Sequence, residues 1–191
     1  MLRIISQNII NYGIEVPDNT ILRINLAWCS SVKQLRNILE GHKNNSIFID
    51  LPIKRIKPPN NKYTLNDLIS VISSYDQIKY FAISNVESAS DLEDYIQKIP
   101  PNIILVPKIE SPIAIQNVSE IVNAIPTDKK VLMLDHDDLF SRITKNNESI
   151  DNFQSYIQKL SDYCSSNKIT LLRTIGVIFS DEEKRISEYI K

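Results

Sequence analysis

Ile103-Ile104-Leu105-Val106-Pro107-Lys108-Ile109-Glu110-Ser111-Pro112 is the stretch from which the fold reads. Residues 103–108 are nearly continuous in apolar and β-branched side chains, as a strand covered on both faces requires. Lys108 and Glu110 stand two apart at its end, so they share a face. Ser111-Pro112 then sets a proline just inside a helix start. The segment reads as strand, polar strand end, helix.

The same alternation extends outward in both directions. Further strand candidates are Leu2–Ser6, Ile21–Leu26, Ile47–Leu51, Tyr80–Ser84, Val131–Leu134 and Ile169–Arg173. Between them, Val32–Leu39, Leu65–Ser73, Ala89–Ile99, Ile113–Ala124 and Ile150–Ser165 carry apolar residues at three- and four-residue spacing, the pattern of amphipathic helices. Asp181–Ile190 reads as a last helix opened by Ser180. Ser88, three residues before Asp91, supplies a relaxed capping box. Pro58-Pro59-Asn60-Asn61 and the Asn- and Ser-rich stretches 44–46 and 146–149 read as loops. Residues 7–20 are ambiguous and would suit a hairpin at one end of the fold. Strands alternating with helices imply βαβ units and a parallel sheet. With no repeat and no linker, the 191 residues read as one α/β domain, residues 1–191.

Bulk properties narrow the function classes. A net charge of -1, from 22 basic and 23 acidic residues, gives no global field for nucleic acid or an anionic membrane. No run approaches the roughly 20 apolar residues of a membrane span, and the start of the chain lacks signal-peptide character. The two cysteines, Cys29 and Cys164, make neither a metal-ligand spacing nor a disulfide framework, which suits a reduced, cytoplasmic setting. With 3 glycines, no glycine-rich phosphate loop exists.

In parallel α/β folds the chemistry gathers at the C-terminal strand ends. Arg23 and Asn25 end the second run, Asp50 the third, Lys108 and Glu110 the fifth, Asp135-His136-Asp137-Asp138 the sixth, and Arg173 and Thr174 the seventh. Glu110 and Asp138, on successive strand ends, suit an oxygen-ligated divalent cation. From spacing alone, however, the plainer reading, loop-entry acids or helix caps, is the stronger. Arg23 suits bidentate contact with a phosphate or carboxylate, and for Arg23, Asn25 and Asp50 functional and structural readings balance. His136 reads as a solvated loop histidine. Trp28 and Tyr63 read as packing groups.

Taken in order, these residues resemble the pyruvate kinase family. Arg23-Ile24-Asn25 is similar to its R-x-N, and Ile49-Asp50-Leu51-Pro52 with Lys54–Lys57 to its L-D-x-x-G-P-x-I-R. Leu65-Asn66-Asp67-Leu68 resembles the stretch where its barrel resumes. Phe81-Ala82-Ile83-Ser84 with Ser88–Leu92 is similar to A-L-S-F-V-R-S-A-x-D-V. The most specific match is Lys108-Ile109-Glu110 with Pro112, Asn117, Glu120 and Ile121, similar to K-I-E-x-P-x-x-x-x-N-x-x-E-I. Asp137-Asp138-Leu139 resembles G-D-L, and Thr174 resembles the threonine of A-T-Q. The resemblance runs from Arg23 to Thr174 and implies a TIM-type (β/α) barrel. At 191 residues and about seven strands the barrel is incomplete, since a full one takes about 250 residues.

The resemblance implies Mg²⁺ or Mn²⁺ held by Glu110 and Asp138. It implies Lys108, Arg23 and Thr174 as catalytic groups, and Asn25 and Asp50 as ligands for K⁺. The substrate it implies is phosphoenolpyruvate, pyruvate or a related 2-oxo acid, handled through an enolate that the divalent cation stabilises. Several departures weigh against nucleotide chemistry. Ala27 and Trp28 replace a serine and a histidine, Ile53-Lys54 replaces the G-P turn, and Phe140 closes a segment that ends in glycine in the family. Asp137 replaces that segment's first glycine, where an added carboxylate repels an anionic substrate. The family's lid domain would fall between Lys57 and Thr64, where six residues stand, and after Thr174 one helix-length segment follows in place of its C-terminal domain. A C–C lyase like the citrate-lyase and hydroxy-acid aldolase relatives, or a binding subunit that has lost activity, are the competing readings. Open barrel edges lead the sequence reading to expect that the gap is covered, either by the chain's own first and last segments or in a homo-oligomer, a dimer first.

Overall fold

The computed structural model describes residues 4–6, 20–54, 59 and 61–173. Seven strands form one sheet: β1 (Ile4–Ser6), β2 (Ile21–Asn25), β3 (Ser46–Leu51), β4 (Ile78–Ile83), β5 (Ile104–Ile109), β6 (Val131–Leu134) and β7 (Thr170–Arg173). All adjacent pairs are parallel, and the spatial order is the chain order. Between them run α1 (Val32–Gly41), α2 (Leu65–Ile72), α3 (Glu93–Lys98), α4 (Pro112–Gln116), α5 (Val118–Ala124), α6 (His136–Lys145) and α7 (Asn152–Ser166). Among the described residues no helix is long and apolar enough to cross a membrane.

The period-2 alternation of the strands sorts their side chains into two clusters. Leu22, Ile24, Ile47, Ile49, Phe81, Leu105, Leu132 and Leu134 point toward the helices and pack with Leu35, Leu68, Val71, Ile121, Leu139, Ile143 and Leu160. Ile21, Phe48, Tyr80, Ala82, Val106, Val131 and Met133 point the other way and form a second cluster built from strand residues alone. No helix among the described residues covers that face, yet its residues are buried. A flat sheet would leave them in water, so the sheet curls with this face inside, as a half-barrel. A strand order equal to the chain order is what this curling needs, since each right-handed crossover returns the helix to the same outer face.

Local chemistry sets the element ends. Thr64 and Asp67 close a reciprocal capping box at the start of α2. Ser88 and Asp91 do the same at the turn of 3₁₀ helix Ala89–Leu92. Ser111 caps α4 with Pro112 at its first position, as the sequence predicts. The expected single helices 89–99 and 113–124 are each broken, the first into the 3₁₀ turn plus α3, the second at Asn117 between α4 and α5. The segment after β6 is a further correction. Where the sequence reading has a loop with a solvated histidine, residues 136–145 form α6, capped by the Asp135 side chain on the Asp138 N–H. Cys29 and Cys164 are free and buried. Residues 7–19 of the expected 7–20 hairpin, the segment 55–58, Thr174 and the helix 181–190 lie outside the described residues.

Phe81 is fully buried on the helix-facing side and packs 6.3 Å from the Tyr95 ring. Truncating it leaves a cavity that the curved sheet cannot collapse. Phe81→Ala is expected to cost about 3–5 kcal/mol, read by urea unfolding, and a loss below about 1 kcal/mol would show that this face is not the packed core.

Candidate active site at the strand ends

Arg23, Asn25, Asp50, Ser84, Lys108, Glu110 and Asp135 come from the C-terminal ends of strands β2 to β6 or the residues just after them. Arg23 donates through Nε to Asp50 Oδ2 at 3.0 Å and through a second, short contact from Nη2. Lys108 Nζ lies 2.7 Å from Glu110 Oε1, 3.7 Å from Asp50 Oδ2 and 3.8 Å from Asp135 Oδ2, and donates to Ser84 Oγ at 3.2 Å. Lys108, Asp50 and Glu110 are all buried. Ala82, a small residue, stands opposite Asp50 in register, where two long cationic side chains converge.

The charges are not evenly answered. Burial alone would lift the Asp50 carboxyl, but Lys108 and Arg23 outweigh it and hold it below its ordinary value. Burial would likewise strip the proton from Lys108, and the carboxylates of Asp50 and Glu110 instead hold its ammonium well above the usual lysine value. Glu110 goes the other way: burial lifts it, Lys108 only partly offsets this, and Asp135 adds to the rise. Two cations, Arg23 and Lys108, thus face the carboxylates of Asp50, Glu110 and Asp135. Two buried oxygens, Asp50 Oδ1 and Glu110 Oε1, accept no hydrogen bond. The second lies in ion-pair range of Lys108 but off the hydrogen-bonding direction. Buried polar atoms are rarely left so without a role.

Glu110, Asp135 and Asp138 each present a carboxylate oxygen within 4.8 Å of the other two. Three hard oxygen donors are a donor set that fits a divalent cation such as Mg²⁺ or Mn²⁺, with Glu110 also paired to Lys108. Asn25 offers less to K⁺, because its Oδ1 already accepts from the Ala27 N–H at 3.0 Å. Asn25, Asp50, Ser84, Lys108, Glu110 and Asp138 line one cavity of about 280 Å³ with Pro52, Ile53, Lys54, Asn85, Ser141, Arg142 and Lys145. Arg23 is not among its lining residues; its guanidinium is spent on Asp50 beneath. Thr174 lies outside the described residues.

Three groups escape the sequence reading. Asp135, read there as one of four polar residues, is the third carboxylate of the cluster. Asn85, at φ 55°, donates its backbone N–H to Glu110 Oε2 at 2.6 Å and its side-chain amide to Ile53 O at 2.8 Å. Asparagine tolerates that left-handed conformation, so a lone Asn after a strand is the available signal. Arg142, on α6, donates to Asn85 Oδ1 at 2.8 Å. Asn117 and Glu120 tie the post-β4 loop through Glu87 O and the Ala89 N–H. His136 turns away: its Nε2 accepts from Arg173 at 3.3 Å and its ring meets Phe153 edge-on. Asp137 is exposed and outside the cavity lining, and Trp28 is 46% exposed.

A scan of protein-family models finds no match, and a search of curated proteins finds none. Among solved structures the chain is similar to RipC from Yersinia pestis, with 15% identity and a TM-score of 0.62 over 98% of this chain and 82% of that one. That likeness is one of fold.

Removing the shared cation leaves Glu110 buried without a counter-charge. Lys108→Met is expected to lower stability by about 3–5 kcal/mol near neutral pH, read by chemical denaturation; a change under about 1 kcal/mol would refute the shared ion pair. Asp50 gives a pH signature. Its folded carboxyl titrates below the unfolded value, so its contribution is complete above about pH 4 and fades as the pH falls through the folded value. The stability gap between the natural chain and Asp50→Asn should therefore be constant around neutrality and shrink on acidification. A gap that widens toward acid contradicts the pairing.

Proposed function

We propose that the chain is a divalent-cation-dependent enzyme of the pyruvate-kinase-like barrel kind, acting on pyruvate, phosphoenolpyruvate or a related 2-oxo acid through an enolate. The observation that carries this reading is the buried Lys108 ammonium between Glu110 and Asp135, at the floor of a cavity on the strand ends. Glu110, Asp135 and Asp138 would hold Mg²⁺ or Mn²⁺, which when bound supplies Lewis-acid stabilisation of developing oxyanion charge. Lys108 brings a fixed positive charge to the same place, and a preorganised charge in a water-poor site acts strongly on an oxyanion. Ser84 and Asp50 orient its Nζ. Asn85 fixes Glu110 by its backbone N–H, and Arg142 fixes Asn85. Arg23 serves here as the counter-charge of Asp50, so its expected role on a substrate phosphate passes to the cavity rim. In this reading the seven-strand half-barrel is the larger part of a TIM-type barrel, and its edges β1 and β7 are where a second copy would pair.

Within enolate chemistry, a specific observation favours C–C bond cleavage over phosphoryl transfer to a nucleotide. The β3–α2 connection spans residues 52–64, and its end is bound into the fold. Asn61 Nδ2 donates to Ala27 O at 2.8 Å, and the Tyr63 hydroxyl donates to Cys29 O in a short contact. A connection of that length, tied down at residues 61 and 63, suits a small acid better than a nucleotide under a closing lid.

Calorimetry with Mn²⁺ should find a site weakened about tenfold or more by each of Glu110→Gln, Asp135→Asn and Asp138→Asn, in line with losing one ligand; three unchanged affinities would remove the metal centre. With the cation present, NMR should record exchange of pyruvate methyl protons for deuterium, abolished in Lys108→Met. No exchange at any cation concentration would count against the enolate. A coupled assay with ADP and phosphoenolpyruvate is expected to fall far below the usual kcat range of about 1–10³ s⁻¹, and ordinary turnover would overturn the preference for cleavage.

A further inference from the structure

The face that α6 turns to the cavity has a use beyond its metal ligand. Asp138, Ser141, Arg142 and Lys145 all line the cavity, at helical positions i, i+3, i+4 and i+7, so they form one stripe. Leu139 and Ile143 hold the opposite face in the core. One end of the stripe is acidic and belongs to the cation cluster; the other end, a turn to two turns on, is basic. Lys54, at φ 56° after β3, lines the same cavity.

These three cations are not spent on protein carboxylates. Among the described residues none of them makes an ion pair; Lys54 acts on Asp91 only at longer range, and Asp91 is already held by the N–H groups of Glu87 and Ser88. Arg142 is half-buried and anchored on Asn85 Oδ1, which leaves the remainder of its donor fork for another acceptor. Solvated lysines on a helix are ordinary. A guanidinium fixed in a cavity wall, with two ammonium groups on the same rim and a carboxylate cluster at the floor, is a polarised cleft with one pole for a cation and one for an anion.

Resting on the enolate reading above, we propose that Lys54, Arg142 and Lys145 form a second anion site, and that the substrate is a 2-oxo acid with a distal carboxylate or phosphate group. The 2-oxo acid end meets the divalent cation and Lys108 at the floor, and the distal group meets the rim. A planar guanidinium matches either anion bidentately, so the two sources share one chemistry.

The test is calorimetry on the full chain with Mg²⁺, using pyruvate, 2-oxoglutarate and 3-phosphonopyruvate as probes. At least one two-ended acid should bind tighter than pyruvate by about tenfold or more, the smaller end of a charge-assisted hydrogen bond, and the acid that does so names the distal group. In Lys54→Asn with Lys145→Gln that ratio should fall toward one while pyruvate affinity holds; in Arg142→Gln, which keeps a donor for Asn85, the ratio itself should fall toward one, whatever the change in pyruvate affinity. Equal binding of all three acids to the natural chain, or a ratio untouched by both sets of substitutions, would overturn the proposal. Inorganic phosphate without Mg²⁺ separates the two readings. If pyruvate fails to bind but phosphate binds and is lost in Arg142→Gln, the anion site stands and the enolate reading falls.

Discussion

The Lys108 ammonium is shared by Asp50, Glu110 and Asp135, and much of the molecule is arranged around that sharing. Bringing a lysine charge out of water costs several kcal/mol unless it is answered at close range. The answer comes from three different strand ends, which must therefore be in register. Asn25 pairs with Asp50, Ile83 with Pro107, and Lys108 with Met133, so successive strands deliver their polar tips to one level. Below that level the concave face is apolar, from Phe48 and Tyr80 to Val131 and Met133. The interior is thus layered, greasy beneath and ionic at the mouth.

The ionic layer itself divides. Its inner part is the Arg23–Asp50 pair: Asp50 is held ionised by Lys108 and Arg23, and Arg23 stands outside the cavity lining. Its outer part gathers the carboxylates of Glu110, Asp135 and Asp138, of which Glu110 and Asp138 line the cavity. The inner part fixes where Lys108 stands; the outer part would hold the cation in the reading proposed above. Arg23 is paired with Asp50, while Arg142, one layer out on a helix, lines the cavity.

Much of the architecture was legible in the chain. The seven runs of β-branched and apolar residues match the seven strands to within two or three residues, because strands buried on both faces leave a continuous apolar signature. Ser111-Pro112 and the Ser88–Asp91 pair announced their caps. The curvature was not legible, since it lies in how one apolar face buries itself rather than in any segment's composition. Nor was α6. Leu139 and Ile143 are its buried residues, and the acidic run before them resembles a loop. With α6 unseen, the stripe Asp138, Arg142, Lys145 had no periodicity to belong to. Asp135 was hidden for a related reason: its side chain caps α6, so its placement depends on a helix the pattern did not reveal. Asn85 acts through a backbone N–H, which no side-chain motif encodes.

A buried ion network of this kind is a poor way to gain stability. Apolar residues of similar volume in place of Arg23, Asp50 and Lys108 would join the hydrophobic face beneath them, and such replacements are often neutral or stabilising. The network is therefore better explained by what it holds at the cavity. It keeps one ammonium fixed beside Glu110, whose carboxyl burial raises, and close to Asp135, at the end of the sheet where loops from several strands converge. Perturbed groups of opposite sign, converging in a cleft, mark the place where a functional site is to be sought, and they support the reading proposed above. The hydrogen-bond side agrees: among the described residues, the buried side-chain oxygens that accept no hydrogen bond are Asp50 Oδ1 and Glu110 Oε1, both on residues that line the cavity, the second in ion-pair contact with Lys108.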